Sequence, residues 1–196
     1  MKSLACAALC VALFTCKPPA APADAGSSAV VLSRLDSVVV SWSAADRRFR
    51  AWSSKGEPLW TVALPGDDSL VAPPCGAPDS SVYARGQSAL YAISSTGSLA
   101  WSHRLEGEQP DDAVRAPAAM SNSGVVFASS PSLLVALAPD GVEMWKYLLP
   151  KGETIRSPPT VAPNGLITIV TSASVIQLAG DGVPVWQKPA ADARAK

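Results

Sequence analysis

The chain has 196 residues, with 16 Lys or Arg, 16 Asp or Glu and one histidine, so its formal net charge is zero at pH 7. This balance leaves no large electrostatic field of the kind that favours nucleic acid or an acidic lipid surface. A single histidine also excludes a metal site built from several histidines.

The N-terminal segment has the features of a bacterial export signal. Lys2 is followed by an apolar run from Leu4 to Phe14. This run is too short to cross a bilayer, since a spanning helix needs about 20 residues. A basic start and a short apolar run are typical of a secretory signal peptide, which we assign to residues 1–15. The segment predicts an exported protein of the bacterial periplasm or outer membrane.

The residues after this signal predict a lipid anchor and a tether. The sequence from Leu13 to Cys16 is similar to a lipobox, in which Cys16 is lipidated and becomes the mature N-terminus. Ordinary signal cleavage after Ala23 or Ala25 is the alternative. Residues 16–28 are rich in Ala and Pro and offer little apolar surface to bury, so we predict that they form a disordered tether.

A motif recurs four times in the rest of the chain. Each time, a glycine precedes a tryptophan by four residues, and successive tryptophans are nearly evenly spaced along the sequence. Such a period, of roughly 40 residues, is typical of repeated supersecondary units. The four pairs are Gly56 and Trp60, Gly97 and Trp101, Gly141 and Trp145, and Gly182 and Trp186.

A proline runs in phase with this motif. Pro73, Pro117 and Pro158 each lie at the same distance before the glycine of their unit, and the first unit lacks this proline. The common frame predicts one domain at residues 29–190. It divides that domain into repeats at residues 29–66, 67–107, 108–150 and 151–190.

Each unit contains four short runs rich in Val, Ile, Leu and aromatic residues, bounded by Gly, Pro, Asp and Ser, which predict four β-strands. The motif glycine lies between the third and fourth strands, where a tight hairpin needs a positive φ. The tryptophan lies inside the fourth strand. Its ring can pack against the neighbouring unit while its N–H reaches a carbonyl. We therefore predict structural roles for all eight motif residues.

The motif resembles the PQQ-like β-propeller repeat, which reads approximately A-x-D-x-x-T-G-x-x-x-W. Residues Tyr91 to Trp101 match it closely, and Ala136 to Trp145 and Gln177 to Trp186 match it in Gly and Trp. In such repeats each unit is a four-stranded antiparallel blade, and the blades pack around a channel. The resemblance therefore implies an all-β propeller of four four-stranded antiparallel blades, in a small or partial ring. The family includes quinoprotein alcohol dehydrogenases and non-enzymatic lipoproteins that help to assemble outer-membrane barrels.

Four units leave the closure of the ring open. The chain could close as a four-bladed ring, two copies could form an eight-bladed ring, or the chain could remain a partial propeller that a partner caps. An exposed blade face is an apolar patch, and such patches associate. We therefore expect self-association or partner capping of the terminal blades.

The sequence does not contain the residues that a PQQ-dependent dehydrogenase requires. Such an enzyme needs an acidic cage for Ca²⁺, a stacking tryptophan and an Asp base, and its family often has a vicinal cysteine pair, which this chain lacks. We assign no catalytic, cofactor-binding or metal-ligating residue and expect no cofactor.

Two arginines are candidates for ligand binding. Arg115 and Arg156 each stand two residues before an aligned proline. The resemblance implies that this place is at the mouth of the channel, where a guanidinium group could bind a carboxylate or carbonyl of a peptide. Salt bridges between neighbouring blades are the alternative.

These patterns predict a non-catalytic exported propeller that acts as a protein-binding or scaffolding module in the cell envelope. Its expected partner is an envelope protein or peptide, with no nucleic acid and with the membrane reached only through an N-terminal lipid. A PQQ-dependent dehydrogenase, or a subunit of one, is the alternative.

Overall fold

Four antiparallel sheets follow one another along the chain. The structure is a computed structural model that describes residues 27–32, 38–66, 68–77, 79–105 and 118–190. All sixteen elements named within these ranges are β-strands, and each sheet is built of four consecutive strands. The predicted all-β propeller of four four-stranded blades is confirmed.

The strands are short, with two to six residues each. The first sheet contains β1 (Ser27–Leu32), β2 (Val38–Ser43), β3 (Arg48–Trp52) and β4 (Pro58–Ala63), and the second contains β5 (Cys75–Gly76), β6 (Val82–Arg85), β7 (Ala89–Ile93) and β8 (Leu99–Arg104). The third contains β9 (Ala119–Met120), β10 (Val126–Ser130), β11 (Leu133–Leu137) and β12 (Glu143–Leu148), and the fourth contains β13 (Thr160–Val161), β14 (Ile167–Val170), β15 (Ser174–Leu178) and β16 (Pro184–Pro189). Strand β1 begins two residues before residue 29, where the repeats are predicted to start.

The turn between the third and fourth strands has one geometry in all four sheets. Its glycine has a φ between +80° and +86°, where a Cβ would be strained: Gly56, Gly97, Gly141 and Gly182. In the first sheet, the N–H of Gly56 donates to the carbonyl of Ser53 at 2.9 Å, and the N–H of Ser53 donates to the carbonyl of Glu57 at 2.8 Å. This closed turn sets Trp60 opposite Ala51 on the neighbouring strand.

Successive sheets pack face to face, because alternate side chains of a strand point to opposite faces. Buried apolar residues form one cluster between the first and second sheets, a second between the second and third, and another between the third and fourth. Within the described ranges no apolar cluster joins the fourth sheet to the first. The four blades therefore form an open arc, which is the partial ring among the predicted forms.

Candidate protein-binding surface

Three tryptophans join successive sheets through one repeated contact. The indoles of Trp60, Trp101 and Trp145 lie over the turn glycine of the following sheet, where an added Cβ would come within 2.5, 2.6 and 2.7 Å of the ring. Each indole N–H donates to the carbonyl two residues before that glycine, at 2.9, 2.9 and 3.0 Å. The glycine is thus required both for its φ and for the space it leaves. We call this arrangement the Trp–Gly contact.

The two ends of the arc hold the unmatched halves of this contact. Trp186 lies on β16, the last strand of the last described sheet, and its surface is 37% exposed. The ammonium of Lys188 lies 5.8 Å from the centroid of its ring. At the other end, no atom of the described part of the chain, apart from the neighbouring residues, lies within 4 Å of a Cβ placed on Gly56.

A half-buried carboxylate ties the loop before β5 to the hairpin between β6 and β7. Asp68 accepts hydrogen bonds from the backbone N–H of Gln87 at 2.8 Å and from the hydroxyls of Ser88 and Tyr91 at 2.8 and 2.7 Å. Burial by itself raises the pKa of Asp68, but the hydrogen bonds from Tyr91 and Ser88 outweigh it and hold the pKa below its usual value. Burial, followed by the hydrogen bond to Asp68, raises the pKa of Tyr91 to about 12.

Glu153 makes the equivalent connection in the fourth sheet. It accepts hydrogen bonds from the hydroxyls of Thr171 and Ser174, and from the side-chain amide of Gln187 at 3.2 Å. The same position of the repeat in the third unit is Asp112, which lies outside the described residues. In both described cases the carboxylate fixes the loop that leads to the inner strand.

Replacing Asp68 with asparagine is expected to lower the free energy of unfolding at pH 7 by about 1 kcal/mol, because an amide cannot accept all of these hydrogen bonds. The folded-state pKa of Asp68 is depressed, so its contribution is present above the unfolded value of 3.8 and is lost as the pH falls through the folded value. The difference between wild type and Asp68→Asn in urea unfolding should therefore shrink at acidic pH. Asp181→Asn is the control, because among the described residues the exposed Asp181 accepts only the N–H of Val183, through Oδ1, and asparagine keeps this acceptor. A constant difference at all pH values would contradict the role given to Asp68.

Large apolar side chains are most numerous along the outer strands of the third and fourth sheets, while the first sheet exposes Leu59 at the place of Met144 and Val185. Ser98, Ala100 and Arg104 hold the equivalent places in the second sheet. Several exposed apolar side chains along one strand mark contacts with other proteins, whereas single exposed ones are ordinary. These residues, which we call the outer-strand patch, are 53–70% exposed: Val142, Met144, Leu148, Val183 and Val185.

The outer-strand patch could not be predicted from the sequence. Alternating apolar residues in a strand look the same whether the face they form is covered or exposed. One signal distinguishes the units: the residue after the turn glycine is Val142 or Val183 in the last two units, but Glu57 or Ser98 in the first two.

Of the remaining predicted site residues, only Arg156 lies within the described ranges. Arg156 is exposed just before β13, and its backbone N–H donates to the carbonyl of Val170 at 2.8 Å. Within the described ranges the Arg156 side chain forms no salt bridge. Cys16, the signal peptide at residues 1–15 and Arg115 lie outside the described residues.

The described residues contain neither a cluster of metal ligands nor a membrane-spanning helix. In the described part of the chain, no three His, Cys, Asp or Glu side chains lie together in a way that would hold a metal ion. His103 instead faces Glu143 of the next sheet, with Nε2 and Oε2 3.7 Å apart. No helix among the described residues is both long enough and apolar enough to cross a bilayer.

The four blades and the Trp–Gly contacts between them define a β-propeller module built of PQQ-like repeats. A family model described as "Outer membrane protein assembly factor BamB" matches residues 43–195. Because this match covers well over half of the chain, the chain belongs to that family. No curated protein matches the sequence.

Three solved structures share the fold. A protein of unknown function from Bacteroides caccae is 16% identical, with a TM-score of 0.57 over 88% of this chain and 64% of that one. Virginiamycin B lyase from Staphylococcus aureus is 10% identical, with a TM-score of 0.59 over 82% and 54% of the two chains. The Pan2 WD40 domain from Neurospora crassa is 13% identical, with a TM-score of 0.54 over 84% and 50%. The chain thus spans half to two thirds of the length of these structures.

Proposed function

We propose that this chain is an exported, non-catalytic β-propeller that binds a protein or peptide of the bacterial cell envelope. The outer-strand patch carries the proposal. Its five apolar side chains are each more than half exposed. Burial of this apolar surface against a partner would contribute favourable free energy to binding. The family description, which names outer membrane protein assembly, supports an envelope location. The predicted signal peptide and the lipobox-like Cys16 support export and anchoring.

The proposed partner supplies apolar side chains for the patch and a polar group for Arg156. Met144 and Leu148 lie on β12, the edge strand of the third sheet. Arg156 precedes β13, at the opposite edge of the fourth sheet. Four strands spaced by about 4.8 Å separate an outer edge from an inner edge by roughly 15 Å. A partner that reaches both contacts must therefore extend across the rim of the arc, and a carboxylate or backbone carbonyl suits the guanidinium.

Site-specific photo-crosslinking in cells that make the full chain tests this proposal. A photoreactive residue at position 144 is expected to crosslink an envelope protein. The same residue at position 100, the equivalent place in the second sheet, is the matched control and should give none. Arg156→Ala should reduce the crosslink without changing the melting temperature. Equal crosslinks at both positions, or none at position 144, would show that the patch is not the binding surface.

The proposal also includes lipidation at Cys16 and the absence of catalytic activity. Cys16→Ser is expected to move the chain from the membrane fraction to the soluble fraction of the envelope. A variant that remains in the membrane fraction would argue against lipidation at that residue. Oxidation of alcohols by the purified chain after addition of PQQ and Ca²⁺ would overturn the non-catalytic role.

A further inference from the structure

The Trp–Gly contact occurs three times within the arc and is left open once at each end. Trp186 has the position of the three indoles that cover a glycine of the following sheet. Gly56 has the position of the three glycines that receive an indole, and its φ of +80° matches their values. The fourth sheet therefore presents one half of the contact, and the first sheet presents the other half.

We infer that two copies of this chain form one closed ring, in which Trp186 of each copy packs on Gly56 of the second copy. A head-to-tail contact of this kind closes when it is made twice around a two-fold axis. Two arcs of four blades give eight, which lies within the usual range of propellers. The chain spans only 50–64% of the three propeller structures that resemble it, so two copies supply enough chain for a ring.

The receiving site on the first sheet is already formed. In the three internal contacts, the indole N–H donates to the carbonyl two residues before the glycine. The corresponding residue before Gly56 is Ser54, in a turn closed by the hydrogen bond from Gly56 to Ser53. The open space beside Gly56 is the space that an indole fills at Gly97 and Gly141. Docking of Trp186 therefore requires no rearrangement of this turn.

The free face of the first sheet has the composition of a protein interface. Its described residues combine the apolar Val39 and Trp52 with the polar Ser41 and Arg50, and the Trp52 N–H donates to the Ser41 hydroxyl at 3.4 Å. In the second sheet the equivalent of Arg50 is the buried Tyr91. Tryptophan and arginine are enriched in interfaces, whereas the interior contacts of this chain are apolar. We therefore expect the contact between copies to be reversible.

The free face of the fourth sheet is of the same mixed kind. Val170 and Val175 are partly exposed beside Thr168 and Gln177. In the third sheet, Phe127 and Ala136 occupy the places of these two polar residues. The face thus keeps apolar area and Trp186 for a second copy, yet it is polar enough for the separate chain to stay soluble.

At one position of the outer strands, the contact between copies brings no like charges together. Across the second and third sheets, that place is filled by His103 and Glu143, which lie 3.7 Å apart. The equivalent residues at the two ends are Lys188 and Pro58. A lysine would therefore meet a neutral residue there.

Native mass spectrometry of the full chain, over a range of concentrations in mild detergent, tests the inference. A species of two chains is expected, with no series of longer oligomers. Gly56→Ala places a methyl group where the ring must lie, and Trp186→Ala removes the ring. Each change should raise the dissociation constant of the two-chain species by about tenfold or more. Circular dichroism of the same samples shows whether each variant is folded.

Gly152→Ala is the matched control for Gly56→Ala. Gly152 has a φ of +84° and no described atom within 4 Å of its Cβ position, so the substitution carries the same backbone strain without altering either half of the open Trp–Gly contact. This control should retain the two-chain species. A wild-type chain that stays single at every concentration, or that binds a different protein at its ends, would overturn the inference. So would a two-chain species that survives both Gly56→Ala and Trp186→Ala.

Discussion

Replacing Trp101 with alanine is expected to lower the free energy of unfolding by about 3 kcal/mol, at the lower end of the cost of removing a tryptophan from a core. The ring is half-buried between the second and third sheets, with its centroid 5.7 Å from that of Tyr83. Its N–H donates to the carbonyl of Pro139 at 2.9 Å. Alanine leaves a cavity over Gly141 and removes the donor for that carbonyl. Urea unfolding followed by circular dichroism measures the loss.

Trp186→Ala is the matched control, because the same residue type stands at the same place of the repeat and no sheet follows it among the described residues. Its expected cost is about 0.5 kcal/mol when measured on dilute, single chains, as for most surface substitutions. Equal losses for Trp101→Ala and Trp186→Ala would show that the contact with the next sheet is not the source of the stability.

Replacing Gly141 with alanine is expected to destabilise the chain by roughly 3 kcal/mol, as the sum of a backbone cost and a packing cost. Its φ of +86° costs an L-residue about 1–2 kcal/mol. The new methyl group would also stand 2.6 Å from the ring of Trp101, and overpacking of this kind adds about 1–3 kcal/mol. The midpoint of urea unfolding, compared with wild type, gives the combined effect.

Gly56→Ala separates the backbone cost from the packing cost. Gly56 has nearly the same φ, but among the described residues no atom beyond its chain neighbours lies within 4 Å of the added methyl group. Only the backbone cost of about 1–2 kcal/mol is therefore expected on dilute, single chains. If the two glycines proved equally sensitive, the space beside Trp101 would not limit the packing of the sheets.

The Gly-to-Trp spacing was enough to predict the blades, because both parts of the signal are local. A turn that needs a positive φ selects glycine, and the strand that follows holds the tryptophan at a fixed distance in sequence. The partner of that tryptophan lies in the next unit, and the regular period of the motif indicates which unit that is. An open arc, by contrast, was only one of several forms that four units allowed.

The role of Asp68 could not be predicted in the same way. Its partners Ser88 and Tyr91 lie 20 and 23 residues further along the chain, in a hairpin that the folded sheet brings back to the loop. Nothing in the pair Asp67-Asp68 distinguishes such an anchor from a solvated turn. The outer-strand patch was missed for a related reason, since the exposure of Met144 depends on what covers β12 and not on the strand itself.

The hairpin between the second and third strands is two residues longer in the first sheet than in the second, although the motif predicts units of equal length. In the first sheet Trp42 pairs with Phe49, whereas in the second sheet Arg85 pairs with Leu90. Phe49 and Leu90 keep the same separation in sequence as the motif tryptophans of these two units, but Trp42 and Arg85 stand two positions further apart. The Gly-to-Trp motif fixes the positions of the third and fourth strands only. It therefore cannot predict a difference of two residues in the length of the hairpin between the second and third strands.

Each of the two inner blades receives one neighbour's tryptophan on its glycine and places its own tryptophan on the glycine of the other neighbour. A unit inserted between two existing units would therefore find both of its partners already in place. Duplication of a whole unit during evolution would repeat the Trp–Gly contact and lengthen the arc by one blade. Whole repeats can therefore be added without a change at the motif glycines and tryptophans.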